Sequence, residues 1–180
     1  MHASRTQPGP SRKAGPTFRN SAHRSGAAEA FTRDATRYDA ARPTYPDALS
    51  ELVGPGTVCD IGAGTGKFTQ LLCDDSRSVF ACDPSGDMTR VFHTVLPQVP
   101  VWRATAEATG LVDDAVDALT CAQTWHWVDV HAASAEADRV IRPGGRLVLC
   151  WNTLAVRHPW VLRLSPVSYT HLTLPTILLV

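Results

Sequence analysis

Three glycines spaced two residues apart constrain this chain more than any other feature. Gly62, Gly64 and Gly66 directly follow an apolar run that contains the acid Asp60, and apolar residues at helical spacing follow over 68–72. Closely spaced glycines let a ligand approach the backbone beside a helix N-terminus. The stretch therefore predicts a strand, a ligand-binding turn and a helix.

The spacing of these glycines separates the ligands that such loops bind. A phosphate-binding P-loop has four residues between its glycines and then Gly-Lys-Ser/Thr, whereas Phe68 follows Lys67 here. The dinucleotide pattern G-x-G-x-x-G would place its third glycine at position 67, which is Lys. The spacing therefore disfavours both a P-loop phosphate site and a dinucleotide site. Measurable NADH binding would restore the alternative of an NAD-type oxidoreductase.

Apolar strand-like runs alternate with helical patterns along the central part of the chain. The predicted strands are 58–61, 78–82, 99–104, 116–121 and 146–151, with helices between most of them. Continuous apolar strands in this alternation indicate a parallel, doubly wound α/β sheet. Such sheets bind ligands at the carboxyl ends of their strands.

Asp83 ends the second predicted strand, about 20 residues beyond the glycine loop, which is the spacing of an acid that binds ribose hydroxyls. A carboxylate suits that task because it offers two acceptor oxygens and no donor. The alternative is a helix N-cap, since Asp83-Pro84-Ser85 also resembles a helix start. The spacing favours the ribose role.

The fourth predicted strand is followed directly by a run of polar and aromatic residues, Gln123-Thr-Trp-His-Trp127. This composition after a buried strand is typical of a loop that lines a cavity.

These motifs together resemble the class I S-adenosylmethionine (SAM) methyltransferases. Within that family they are similar to the type 11 domain of the ubiquinone-biosynthesis and trans-aconitate types, over about residues 31–164. The matching features are acid-x-Gly-x-Gly-x-Gly, Asp83, the Trp125-His-Trp127 run and the Arg142-Pro-Gly-Gly145 turn. The resemblance implies a Rossmann-like doubly wound parallel sheet with about five of the usual seven strands. It also implies SAM as cofactor and methyl transfer to a small organic acceptor.

The resemblance also implies roles for particular residues. Those expected to contact the cofactor are Asp60, Gly62, Gly64, Gly66, Asp83, Met88, Thr105, Ala106 and Gln123. Those expected to face the acceptor are Tyr38, Arg42, Tyr45 and Trp125, with Arg42 pairing an acceptor carboxylate. His126 would act as a base or hold the acceptor, and a structural, hydrogen-bonded role is its alternative. For Tyr38 and Tyr45, the alternative role is packing on the surface of a helix. Trp127 is expected to anchor the core.

Composition and charge argue against several classes of partner. Lys+Arg and Asp+Glu both number 17, so net charge suggests neither a nucleic-acid partner nor an anionic membrane. The five cysteines have no C-x-x-C or metal-ligand spacing, so we expect no metal. Four of them fall in or beside apolar runs, which predicts buried free thiols and a cytoplasmic setting.

The two ends differ from the centre in composition. Residues 1–28 are rich in Ser, Gly, Pro and Arg, which predicts a disordered extension before a domain over 29–164. Residues 165–180 resemble a translated library adapter and are expected to be a non-native tail. The methyltransferase domain would then be incomplete, strand 5 would keep an uncovered edge, and the alternative function is SAM binding without turnover.

Overall fold

The computed structural model describes residues 44–152 and Leu178–Leu179. The predicted extension over 1–28, the predicted acceptor-facing residues Tyr38 and Arg42, and all of the tail except Leu178 and Leu179 lie outside the described residues.

Strands and helices alternate as predicted. In chain order the elements are helix α1 (Ala48–Val53), strand β1 (Gly56–Ile61), helix α2 (Lys67–Leu72), strand β2 (Arg77–Cys82), helix α3 (Gly86–Val95), strand β3 (Val101–Trp102), strand β4 (Val116–Ala122), a 3₁₀ turn (Trp125–Trp127), helix α4 (Val130–Val140), strand β5 (Ile141–Cys150) and strand β6 (Leu178–Leu179).

The strands form one sheet in the order β3-β2-β1-β4-β5-β6. Strands β1 to β5 pair in parallel, which confirms the predicted five-stranded, doubly wound arrangement. The chain moves outward from β1 through β2 to β3 and then returns to β4 beside β1. This reversal creates a crevice at the carboxyl ends of β1 and β4, where such sheets bind ligands.

Two predicted boundaries differ from the structure. Strand β3 has only two residues, because Val101 and Trp102 alone pair with β2. The Pro143-Gly144-Gly145 segment lies inside β5 as a bulge rather than before it. Residues 142–145 stand opposite the single residue Asp117 of β4, and regular pairing resumes at Arg146, where the strand was expected to begin.

The outer edge of β5 was expected to be uncovered, and the structure corrects this. Leu178 and Leu179 pair antiparallel with Leu149 and Val148. The pairing satisfies backbone groups on part of an edge that would otherwise be open.

Apolar side chains pack on both faces of the sheet, as continuous apolar strands require. Helix α4 covers one face through Ala133, Ala137 and Val140. Helices α1 and α2 cover the other, where Phe68 and Leu72 are buried. The predicted burial of four thiols is confirmed for Cys59, Cys82, Cys121 and Cys150, and burial raises the pKa of Cys150 to about 12.

Within residues 44–152, no helix is long and apolar enough to cross a membrane.

Candidate functional site

The candidate site lies at the carboxyl edge of the sheet, where loops leave neighbouring strands. The glycine loop follows β1, and the loop with Gln123 and the 3₁₀ turn follows β4. These two strands pair directly, with Asp60 opposite Thr120. Asp83 follows β2 on the other side of β1.

Asp83 joins the glycine loop to the start of α3. Its Oδ2 accepts from the backbone N–H of Gly64 at 2.9 Å, and its Oδ1 accepts from that of Ser85 at 2.8 Å. The residue is 7% exposed. Burial raises the pKa of the carboxyl, and the two backbone donors oppose the rise. The N-cap of α3 is Ser85, whose hydroxyl accepts from Met88 N, so Asp83 is not the cap of that helix.

The three glycines meet different surroundings. A Cβ on Gly62 would lie 2.4 Å from Cγ2 of Thr124, and one on Gly66 would lie 2.8 Å from Cδ1 of Leu96. At both positions, side chains of the protein already fill the space beside the glycine. A Cβ on Gly64 would have no protein atom within 4 Å, although its φ is +59°. Gly64 therefore presents open backbone beside the Asp83 carboxylate, where a ligand has room to approach.

Asp60 lies beneath the loop and has no exposed surface. Its Oδ2 accepts from the Thr69 hydroxyl at 2.6 Å and its Oδ1 from the Thr120 hydroxyl at 2.7 Å. Burial raises the pKa of this carboxyl to about 6, against the lowering effect of both hydroxyls. The side chain is thus placed to hold β1, α2 and β4 together and not to touch a ligand, which corrects its expected direct contact.

Three other predicted cofactor residues follow β2 and β3 at the edge of the sheet where Asp83 lies. Met88 is buried in the first turn of α3. Thr105 is exposed and Ala106 is buried in the loop after β3. Because Asp83 N donates to Trp102 O, the loop after β3 begins at the same edge as Asp83. Their contacts with a cofactor stay predictions.

Gln123 takes a backbone conformation that is rare for a side-chain-bearing residue, with φ of +60°. Its N–H donates to Cys150 O at 2.9 Å, and its Nε2 donates to Asn152 O at 3.2 Å. The end of β5 thus holds the residue in place. Such strain persists where surrounding contacts over-determine it, and it is common at functional sites.

The 3₁₀ turn buries a different tryptophan from the one that was expected to anchor the core. Trp125, expected to face the acceptor, is 9% exposed and packs in the core beside α4. Trp127, expected to anchor the core, is only half-buried. The tight turn begins at Thr124, whose carbonyl accepts from Trp127 N at 2.8 Å. Its geometry directs the first ring, not the third, into the core.

His126 is exposed on this turn. Its Nδ1 accepts from the indole N–H of Trp151 at 3.4 Å, and its ring centroid lies 4.9 Å from that of Trp127. A neutral imidazole that accepts at Nδ1 carries its proton on Nε2. Its predicted role as base or acceptor-binding group stays a prediction.

Tyr45 is the one predicted acceptor-facing tyrosine within the described residues. Its ring meets that of Phe68 edge-on, with centroids 5.0 Å apart, and it is half-buried. This is the packing that was weighed as its alternative role. Tyr38 and Arg42 lie outside the described residues.

Sequence reasoning missed three threonines that organise the site. Thr69 and Thr120 hold Asp60, and the Thr124 hydroxyl donates to Gly62 O at 3.2 Å. Thr120 could have been noticed from the sequence, because it is a polar residue inside the apolar run 116–121. Nothing local identified its partner, because Asp60 lies 60 residues away.

Comparisons with known proteins identify the family to which the chain belongs. The family model described as "Methyltransferase domain" matches residues 59–149. An uncharacterized methyltransferase of Mycobacterium tuberculosis is 44% identical over 133 residues, which cover 72% of this chain and 55% of that protein. Malonyl-[acyl-carrier protein] O-methyltransferase of Serratia marcescens is 32% identical over 140 residues, 74% of this chain and 54% of that enzyme. The chain thus spans about half the length of these relatives.

Among solved structures, an S-adenosylmethionine dependent methyltransferase from Mesorhizobium loti superposes with a TM-score of 0.52 and 25% identity. The match covers 58% of this chain and 51% of that one. The family match includes the glycine loop, Asp83, Gln123 and the 3₁₀ turn. By family model, by sequence relatives and by fold, this chain belongs to the class I S-adenosylmethionine-dependent methyltransferase family.

Proposed function

We propose that this chain binds S-adenosylmethionine and that the whole protein transfers its methyl group to a small organic acceptor. The observation that carries the proposal is the buried Asp83 carboxylate bonded to the open backbone at Gly64. An oxygen that accepts one backbone N–H still has a lone pair for a further donor. A vicinal diol such as that of ribose offers two such donors.

The residues present fit this cofactor. Asp83 and Gly64 would hold the adenosine ribose, and Met88, Thr105 and Ala106 would border the adenine. Gln123 would lie on the methyl-bearing side, held by the end of β5. When bound, the cofactor supplies an electrophilic methyl group on a sulfonium. The protein's task is then to align the two reactants and to exclude water.

Acceptor chemistry decides whether a base is needed. A hydroxyl or an acidic carbon has to lose a proton, and His126 is the exposed titratable group on the turn after β4. As a base it would use Nδ1, the nitrogen that now accepts from Trp151, and as an acceptor-holding group it would use the proton on Nε2. The Serratia relative is named as a malonyl-[acyl-carrier protein] O-methyltransferase, so carboxylic acids and their acyl derivatives belong among the acceptors tested.

Asp83→Asn tests the cofactor site. The variant loses the charge and one acceptor oxygen, so we expect SAM affinity measured by calorimetry to fall about 100-fold, or roughly 3 kcal/mol. Asp87→Asn is the matched control. It removes an exposed carboxylate four residues away that pairs with Arg90, and affinity should stay within about twofold. Equal affinity of Asp83→Asn and the wild-type chain would remove Asp83 from the site.

Methyl transfer is tested separately with methyl-labelled SAM and a panel of small carboxylic acids, phenols, amines and acyl thioesters. Label in an acceptor supports the proposed activity, and a kcat–pH profile of His126→Gln separates a base from an acceptor-holding role. SAM binding without transfer to any acceptor would limit the chain to cofactor binding.

A further inference from the structure

Thr124 contacts both loops of the candidate site. Its Oγ1 lies 3.2 Å from the carbonyl oxygens of Gly62 and Ala122 and donates its single hydrogen to them. A Cβ built on Gly62 would lie only 2.4 Å from the Cγ2 of Thr124. Thr124 and the left-handed φ of +64° at Gly62 are therefore both reasons for a glycine at this position.

The other contacts of Thr124 begin the 3₁₀ turn. Its carbonyl accepts from Trp127 N at 2.8 Å, which closes the turn that carries His126. The residue before it, Gln123, is strained and fixed to the end of β5. Thr124 therefore links the turn to the fixed Gln123 on one side and to the glycine loop on the other.

The glycine loop is anchored on its far side by β2 and Asp83. Gly62 N and Ala63 N donate to Cys82 O, and Gly64 N donates to Asp83. A continuous set of contacts thus runs from Asp83 through the loop to Thr124 and on to the 3₁₀ turn.

We propose that Thr124 is a positioning residue that couples cofactor binding at the glycine loop to the order of the turn carrying His126. The inference rests on the proposed SAM site and deepens it. A ligand that orders the glycine loop lowers the entropy cost of ordering the turn, and the Thr124 hydroxyl carries this effect between them.

The experiment is amide hydrogen exchange at Trp125–Trp127 with and without saturating SAM. Gln123 is left out because we propose that it contacts the cofactor itself. In the wild-type chain we expect SAM to slow exchange at Trp125–Trp127 by about fivefold, the low end of ordinary coupling between two sites. In Thr124→Val, which keeps the branched shape and loses the hydroxyl, the slowing should fall below about twofold.

Two further variants complete the design. Thr124→Ser keeps the hydroxyl and should retain most of the slowing, which a purely packing role of the methyl would not predict. Thr94→Val makes the same change on the exposed side of α3, where Thr94 bonds to Arg90 O, and should behave as wild type. If Thr124→Val does not fold, the hydroxyl is tested by comparing Thr124→Ser with Thr124→Ala, because these two variants differ only in that group.

The outcomes separate the two proposals. SAM binding with equal slowing in wild type and Thr124→Val overturns the coupling and leaves the SAM site intact. Failure of the wild-type chain to bind SAM overturns the proposed function and the coupling with it.

Discussion

Two buried aspartates at the site have different surroundings and different tasks. Asp83 bonds to backbone N–H groups beside open space, whereas Asp60 bonds to two threonine hydroxyls and has no exposed surface. The difference matters for function, because only a carboxylate with access to the crevice can accept from a ligand. Asp60 acts on the loop from below, through β1, α2 and β4.

The buried Asp60 carboxyl predicts a pH dependence of stability. Its pKa is raised from 3.8 to about 6 in the folded chain, so between these values the unfolded state binds fewer protons than the folded state. The free energy of unfolding of the wild-type chain should therefore fall by roughly 2 kcal/mol relative to Asp60→Asn as pH rises from about 4 to about 6.

Urea denaturation at a series of pH values measures this difference. Asp138→Asn, an exposed change on α4, serves as the control and should keep the wild-type slope. Parallel pH curves for wild type and Asp60→Asn would contradict the assignment.

At the scale of elements, the glycine loop is packed against the protein at its last glycine and open to the crevice at its middle one. Gly66 packs against Leu96 and Phe92 with φ of +93°, whereas Gly64 borders open space. The loop therefore uses one glycine for helix packing and another for access to the crevice. A glycine count cannot distinguish these uses.

Alanine at each of these two positions separates stability from binding. Gly64→Ala should cost about 1 kcal/mol of stability, because only left-handed backbone strain is added, yet it should weaken SAM binding measured by calorimetry. Gly66→Ala adds a clash to the same strain and should cost about 2–5 kcal/mol in urea denaturation. Similar stability losses in both variants, with unchanged SAM affinity in Gly64→Ala, would contradict the division of roles.

At the scale of the whole molecule, Arg77 ties the helices on one face to the start of β2. Its side chain is only 6% exposed and pairs with Asp74. Its Nε donates to Gly54 O and its Nη2 to Ser50 O, both at 2.7 Å. The guanidinium thus satisfies carbonyls of α1 and of the residue that ends it, and it fixes α1 beside the sheet.

Arg77→Lys is expected to destabilise the chain by about 2–4 kcal/mol, because an ammonium group cannot reproduce the planar fork of donors. Arg90→Lys is the matched control. Arg90 pairs with an aspartate three residues before it, as Arg77 does, but its side chain is 75% exposed, so the loss should be below about 1 kcal/mol. Thermal or urea unfolding of both variants measures the difference, and equal losses would show that burial of Arg77 adds nothing.

The sequence by itself determined the parallel sheet, the glycine turn after β1 and the place of Asp83, because these depend on short-range periodicity and on the spacing of a few residues along the chain. It could not determine which tryptophan of the 3₁₀ turn is buried, or that the Pro-Gly-Gly segment is a bulge within β5. Nor could it pair Asp60 with Thr120, or Gly62 with Thr124. Those contacts join residues about 60 positions apart, and only the register between β1 and β4 in the tertiary structure brings them together.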